Sequence, residues 1–141
     1  FTSDRIDDDD DTELLVVNLM KQTDSFCRNE GSFFVDATLA VGLASTSVRH
    51  TRFGVVLADF DNDGDLDILV LRGAWLKSYG QQPNSLLRND GHGRFRDVTF
   101  LAGLGEHHFP TQTAAWSDYD NDGDVDLLVL RGGWLKAACL H

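Results

Sequence analysis

The nine residues Asp59–Asp67 read DFDNDGDLD, and the apolar run ILVL follows at once. Five carboxylates alternate within that stretch. Two carboxylates held ~4 Å apart repel by roughly 1 kcal/mol even at the dielectric of water. A folded chain gains from such crowding when a cation sits inside it. The string returns as DYDNDGDVD at Asp118–Asp126, so the chain makes the same arrangement at least twice.

The spacing suits a hard cation that takes six to eight oxygen ligands. Asp59, Asp61 and Asp63 fall at positions 1, 3 and 5, and Asp67 at position 9. Gly64 at position 6 permits a sharp turn that a Cβ would hinder. Asp65 at position 7 is placed to offer its backbone carbonyl. The counterparts are Asp118, Asp120, Asp122, Gly123, Asp124 and Asp126. An EF-hand needs Glu at position 12, where this chain has Val70 or Val129. Mg²⁺ keeps several waters, so a cage of protein oxygens favours Ca²⁺. Two calcium sites are expected.

The loops belong to a longer repeat. Val55–Lys77 and Ala114–Lys136 share 15 of 23 residues at a constant offset of 59. The similarity extends to residues 28–43 against 88–104. A worn third copy, Asp7–Val17, lies over Asp61–Leu71 and sets Glu13 against Asp67. That copy has Arg5 at position 1 and Asp10 where glycine belongs, so its DDDDD run is either a solvated charge cluster or a degenerate third site near Asp7–Glu13. Strands are expected at 52–60, 67–73, 84–90 and 94–100, with a hairpin at NDGHG, because Asn and Gly tolerate positive φ. The run Asp67–Gly73 after the first acidic loop reads as a strand buried on both faces. Units of about 60 residues with four antiparallel strands point to an all-β fold built from β-propeller blades. Residues 1–38 read as a partial blade, 53–100 as a full one and 111–141 as half of another. A partial propeller of about two to two and a half blades cannot close a ring. The expectation is a segment of a longer chain, or one packed on other chains that cover its strand edges.

Composition bounds the partners. The formal net charge is -11, with 42% hydrophobic residues. That hydrophobic content provides a real core, and the charge disfavours nucleic acid, whose binding rests on neutralising phosphates. No run of eighteen apolar residues exists, so no membrane insertion is expected. No signal peptide is visible, and a chain starting at Phe1 reads as processed or partial. Cys27 and Cys139 could form one bridge or stand as two buried thiols.

The stretches FGVVLADFDNDGDLDILVLRG, SLLRNDGHGRFRDVT and AGL resemble the FG-GAP/VCBS repeats of integrin-α-like β-propellers. They are most similar to the VCBS type found beside the ASPIC/UnbV domain and in secreted cartilage acidic proteins. The resemblance implies seven-bladed extracellular propellers whose loops bind calcium, with roles in cell adhesion and protein–protein contact. It carries ligand roles to Asp59, Asp61, Asp63, Asp65 and Asp67, and to Asp118, Asp120, Asp122, Asp124 and Asp126. Phe53-Gly54 supplies the FG, but LRGAW stands where GAP would follow.

Several smaller features have bland readings. His107-His108 reads as loop surface, GHG at 91–93 as a hairpin turn, and Trp116 as core. Trp75 and Trp134, with Lys77 and Lys136 nearby, recur beside glycines near hairpin ends and leave a binding surface open. Arg72 and Arg131 could each pair with a carboxylate or serve a partner. The expected function is a calcium-binding extracellular, cell-surface or lumenal module, with a surface for a protein or glycan partner or for the remaining blades. Alternatives are a non-catalytic subunit of a large assembly, or the accessory propeller of a polysaccharide-acting enzyme. No nucleophile elbow, triad spacing or three-ligand catalytic metal motif is present, so the segment itself is not expected to be an enzyme.

Overall fold

Short runs that alternate inward and outward side chains, separated by turns with positive-φ residues, give ten strands among the described residues. The computed structural model describes residues 2–4, 6, 11–19, 21–45, 50–74, 76–106 and 108–131. Arg5, the acids at 7–10, Trp75, His107, Trp134, Lys136 and Cys139 lie outside them. Strands β1 (Thr2–Asp4), β2 (Glu13–Val16), β3 (Ser25–Asn29) and β4 (Phe34–Asp36) form the first sheet in chain order. The second sheet repeats that order with β5 (Arg52–Ala58), β6 (Asp67–Arg72), β7 (Ser85–Asn89) and β8 (Phe95–Asp97). The third sheet holds β9 (Thr111–Ser117) and β10 (Asp126–Arg131). Every pairing within these sheets is antiparallel. The helical content described is two short 3₁₀ turns, Leu43–Ser45 and Lys77–Gly80. The fold is all-β, with sheets of two to four strands arranged as partial propeller blades and no closed barrel.

The sheets stack because β6 is apolar on both sides. All six of its residues are buried. Ile68 and Val70 face the first sheet, in one core with Leu15, Phe26, Val41, Leu43 and Leu87. Leu69 and Leu71 face the other way, in a second core with Leu86, Val98 and Ala114. Trp116, Leu127 and Val129 of the third sheet pack against that second core. Trp116 is therefore part of the packing, as its place in the strand predicts. The second sheet is thus covered on both faces. Strand β10 has one covered face, and Leu128 and Leu130 on its other side are 65% and 49% exposed.

One local motif fixes the outer strand of each four-stranded sheet. Asp36 accepts from the Thr38 amide at 3.0 Å, and Thr38 Oγ accepts from the Phe26 amide at 2.9 Å. Asp97, Thr99 and Leu86 repeat this in the second sheet at 3.0 and 2.9 Å. The recurrence holds each outer strand in the same register relative to its neighbour.

Candidate metal centre

Each intact acidic loop joins two adjacent strands: β5 to β6, and β9 to β10. The turn is closed by its own first aspartate. Asp59 accepts hydrogen bonds from the amides of Asp63 (3.1 Å) and Gly64 (2.9 Å). Asp118 does the same for Asp122 (3.2 Å) and Gly123 (3.1 Å). Gly64 and Gly123 hold φ of 97° and 98°, a left-handed conformation open to glycine at little cost. The last aspartate folds back to the second position: Asp67 accepts from the Phe60 amide at 3.0 Å, and Asp126 from the Tyr119 amide at 2.9 Å.

This closure brings three carboxylates together in each loop. One oxygen each from Asp59, Asp61 and Asp67 lies within 4.8 Å of the others, and the same holds for Asp118, Asp120 and Asp126. The donor sets are all hard oxygens at positions 1, 3 and 9, and either group could hold a metal ion. Asp63 and Asp122 stand outside these triplets, each accepting the amide two residues on at 3.1 and 3.0 Å. Asp65 lies against the β7–β8 turn, where a Cβ on Gly91 would come within 2.7 Å of its Oδ2. Asp124 accepts from Asn62 Nδ2 at 2.9 Å.

The worn front copy keeps the same frame. Ile6, at position 2, donates its amide to buried Glu13 at 2.8 Å, as Phe60 does to Asp67. The aligned register of Glu13 with Asp67 is therefore present in the structure.

Burial and neighbouring acids raise two carboxyls of the first loop. Burial pushes the Asp67 carboxyl up to about 6, although the amides of Asn89 and Phe60 favour its charged form, and the charges of Asp61 and Asp63 raise it further. Burial also raises Asp61, with the Asp63 charge adding to it and Arg88 opposing. A carboxyl whose folded pKa lies above its unfolded value stabilises the fold at low pH and loses that contribution as pH rises through the folded pKa. Metal-stripped protein is thus expected to gain melting temperature, by a few degrees, as pH falls from 7.5 to 5. Asp67→Asn should show a smaller gain over the same range. Equal pH dependence in both proteins would contradict the assignment.

Residues 5–70 match the FG-GAP-like repeat family. That stretch of the chain carries an FG-GAP-like repeat. It is similar to cartilage acidic protein 1 of Homo sapiens, with 33% identity over 119 residues, covering 74% of this chain and 16% of that protein. The Mus musculus protein of the same name is 32% identical over 119 residues, with 74% and 17% covered. The chain thus spans about a sixth of the length of these relatives.

Within the FG-GAP-like frame, the structure adds residues that the loop pattern does not reveal. Arg88 Nε lies 3.0 Å from Asp61 Oδ2, and its Nη2 3.4 Å from Asp63 Oδ2. Asn89 is fully buried and donates its amide to Asp67 at 2.7 Å. Its side chain donates to the carbonyls of Ile6 (2.9 Å) and Leu66 (3.2 Å), tying the front loop to the middle one. The recurrence of Arg-Asn at 28–29 and 88–89 is the sequence signal that marks this pair. Asn29 repeats the inner bond, donating to Thr12 O at 3.3 Å.

The remaining candidates resolve simply. His92 sits in the β7–β8 turn, and exposed His108 lies 2.9 Å from the Gly105 carbonyl. Arg72 donates to Pro83 O at 2.9 Å and to Ser85 Oγ at 2.8 Å. Arg131 lies over the Phe109 ring at 4.9 Å. Cys27 is a partly buried free thiol in β3.

Proposed function

We propose that the chain is a calcium-stabilised, non-catalytic module of an extracellular, cell-surface or lumenal protein, and that its stacked sheets present a surface to a protein or glycan partner. The observation that carries this reading is the duplicate closure of the two loops, each gathering three carboxylates within 4.8 Å. Asp59, Asp61 and Asp67 would bind through their side chains, Asp63 through its carboxylate and Asp65 through its carbonyl. Asp118, Asp120, Asp126, Asp122 and Asp124 would act in the same order. When bound, the ion neutralises the loop and locks β5 to β6 and β9 to β10. Extracellular calcium modules commonly have Kd near 10⁻⁴ to 10⁻³ M. Such sites fill at about millimolar calcium and stay mostly empty in cytosol, which supports the compartment. The acids that could otherwise serve acid–base chemistry are committed to the loops, which supports a non-catalytic role. No helix among the described residues is long and apolar enough to cross a membrane.

The division into units at 1–38, 53–100 and 111–141 belongs to the same reading. So does a seat for remaining blades. Leu128 and Leu130 stand 59 residues after Leu69 and Leu71, which the next sheet covers. An apolar groove there is lined by Ala115, Ser117, Tyr119, Asp126, Leu127 and Leu128.

Calcium titrated into metal-stripped protein should raise its melting temperature, with Mg²⁺ far less effective. At a hundredfold excess over Kd the gain per site is about 2.7 kcal/mol. Asp61→Ala combined with Asp120→Ala should abolish the rise. No rise up to about 10 mM calcium, beyond the expected Kd range, would overturn the reading.

A further inference from the structure

The two acidic loops are propped differently. The first is held from within its own sheet: Arg88 on Asp61 and Asp63, the Asn89 amide on Asp67, and the Gly91 turn against Asp65. All three come from β7 and its turn. Among the described residues, no strand takes that place beside β10, and Asp126 is exposed where Asp67 is buried. The second loop instead leans on the first. Asn62 Nδ2 donates to Asp124 Oδ1 at 2.9 Å and lies 3.5 Å from Gly123 O.

We propose that Asn62 is a positioning residue for the neighbouring loop, Asp118–Asp126, and that it couples ion occupancy of the two loops. The inference rests on the calcium reading above. Asn62 is position 4 of the first loop and holds a left-handed φ of 57°, between aspartates of the cluster that could hold an ion. An ion at Asp59, Asp61 and Asp67 fixes the backbone on both sides of Asn62. The side-chain amide then holds the Asp124 carboxylate, so that the Asp124 carbonyl would be left to serve the second ion. A loop already ordered by its neighbour loses less conformational freedom when its own ion binds, which is positive coupling without any shared ligand. Repulsion between two divalent ions acts in the opposite sense. That repulsion does not need Asn62, so a mutant cycle separates the two effects.

The test uses the full chain in four versions: wild type, D61N, N62G and D61N/N62G. Asn62→Gly keeps access to positive φ and removes the amide. Calcium is titrated while the Gly64 and Gly123 backbone amides, one in each loop, are followed separately by NMR. Melting temperature without metal checks that each version is folded. In the Asn62 protein, D61N should weaken calcium binding at the second loop about fivefold or more, the low end of typical coupling between sites. In the N62G background, D61N should change it less than twofold. By reciprocity, D120N should weaken the first loop by the same factor, again only with Asn62 present. The coupling is refuted if D61N leaves the second loop unchanged in the Asn62 protein, or weakens it equally in both backgrounds. If neither glycine amide responds to calcium, the calcium reading fails and this inference with it, an outcome distinct from two loops that bind independently.

Discussion

Asp24→Ala is expected to lower stability by about 3–5 kcal/mol, the range for breaking a buried ion pair from one side. Asp24 Oδ1 lies 2.8 Å from Arg52 Nε, with the two side chains 5% and 0% exposed. The pair joins the residue before β3 to the first residue of β5, so it ties the first sheet to the second. Arg52 also donates to Gln22 O at 2.9 Å, and Asp24 accepts from the Asn18 amide at 3.0 Å. Burial raises the Asp24 pKa and lowers that of Arg52, so both charges are strained by desolvation and each depends on its partner. Buried Arg72 lies close enough for the Arg52 charge to help lower its pKa, second to burial. Removing Asp24 leaves two buried arginines without that carboxylate. Arg52→Met should cost less, because Asp24, already displaced toward protonation, can take up a proton whereas arginine cannot shed one. The destabilisation in Arg52→Met should therefore shrink at acidic pH. Thermal melts of the two single variants and of Asp24→Leu/Arg52→Met would decide the matter. The double variant should recover most of the loss. A melt for Asp24→Ala indistinguishable from wild type would show that the pair does not hold the sheets together.

Gly73→Ala is the second large effect, expected at about 3–5 kcal/mol from backbone strain and overpacking together. Gly73 follows β6 with φ of 83°. A Cβ there would sit 1.9 Å from the Gly80 carbonyl oxygen and 2.7 Å from its carbon. Both are backbone atoms, so no side chain can turn aside to relieve the contact. The reverse holds too, since a Cβ on Gly80 would lie 2.1 Å from Gly73 O. Gly73 also bridges in parallel to Thr111 at the start of β9, so displacing it disturbs the junction with the third sheet. Gly64→Ala is the control. It has a similar positive φ of 97° and nothing within 4 Å of the added methyl. In metal-stripped protein it should cost only the conformational term, about 1 kcal/mol. Equal losses for the two variants in chemical denaturation would show that strain, and not the close approach, governs Gly73.

The acidic loops, their register and the doubly buried strand after the first of them were legible because they are local. Alternating aspartates, Gly64 and ILVL sit within a dozen residues and recur at a fixed offset. The role of Trp116 as packing followed from its place in a strand. What could not be read was set by neighbours distant in sequence. Asp67 and Asp126 occupy the same motif position, yet one is buried under β7 and the other is exposed. DILVLR and DLLVLR are nearly the same string, but among the described residues only the first has sheets on both sides. The Asp24–Arg52 pair depends on how one unit sits on the next, which no spacing within a unit encodes, and the Gly73–Gly80 contact on how the β6–β7 connection folds back on itself. Arg88 and Asn89 fall between these cases: their recurrence was visible, but their task was not, because the acids they hold lie more than twenty residues earlier.

The stacking of the three sheets has a consequence for how the molecule opens. The first core is built from the first two sheets, and the second core from the last two. Loss of β9 and β10 leaves the first core whole, while loss of the middle sheet dismantles both. In such nearest-neighbour architectures stability approximates a sum over units and the interfaces between them. The middle sheet, shared by both cores, is therefore expected to open last, with the amide hydrogens of β6 the last to become accessible to solvent exchange.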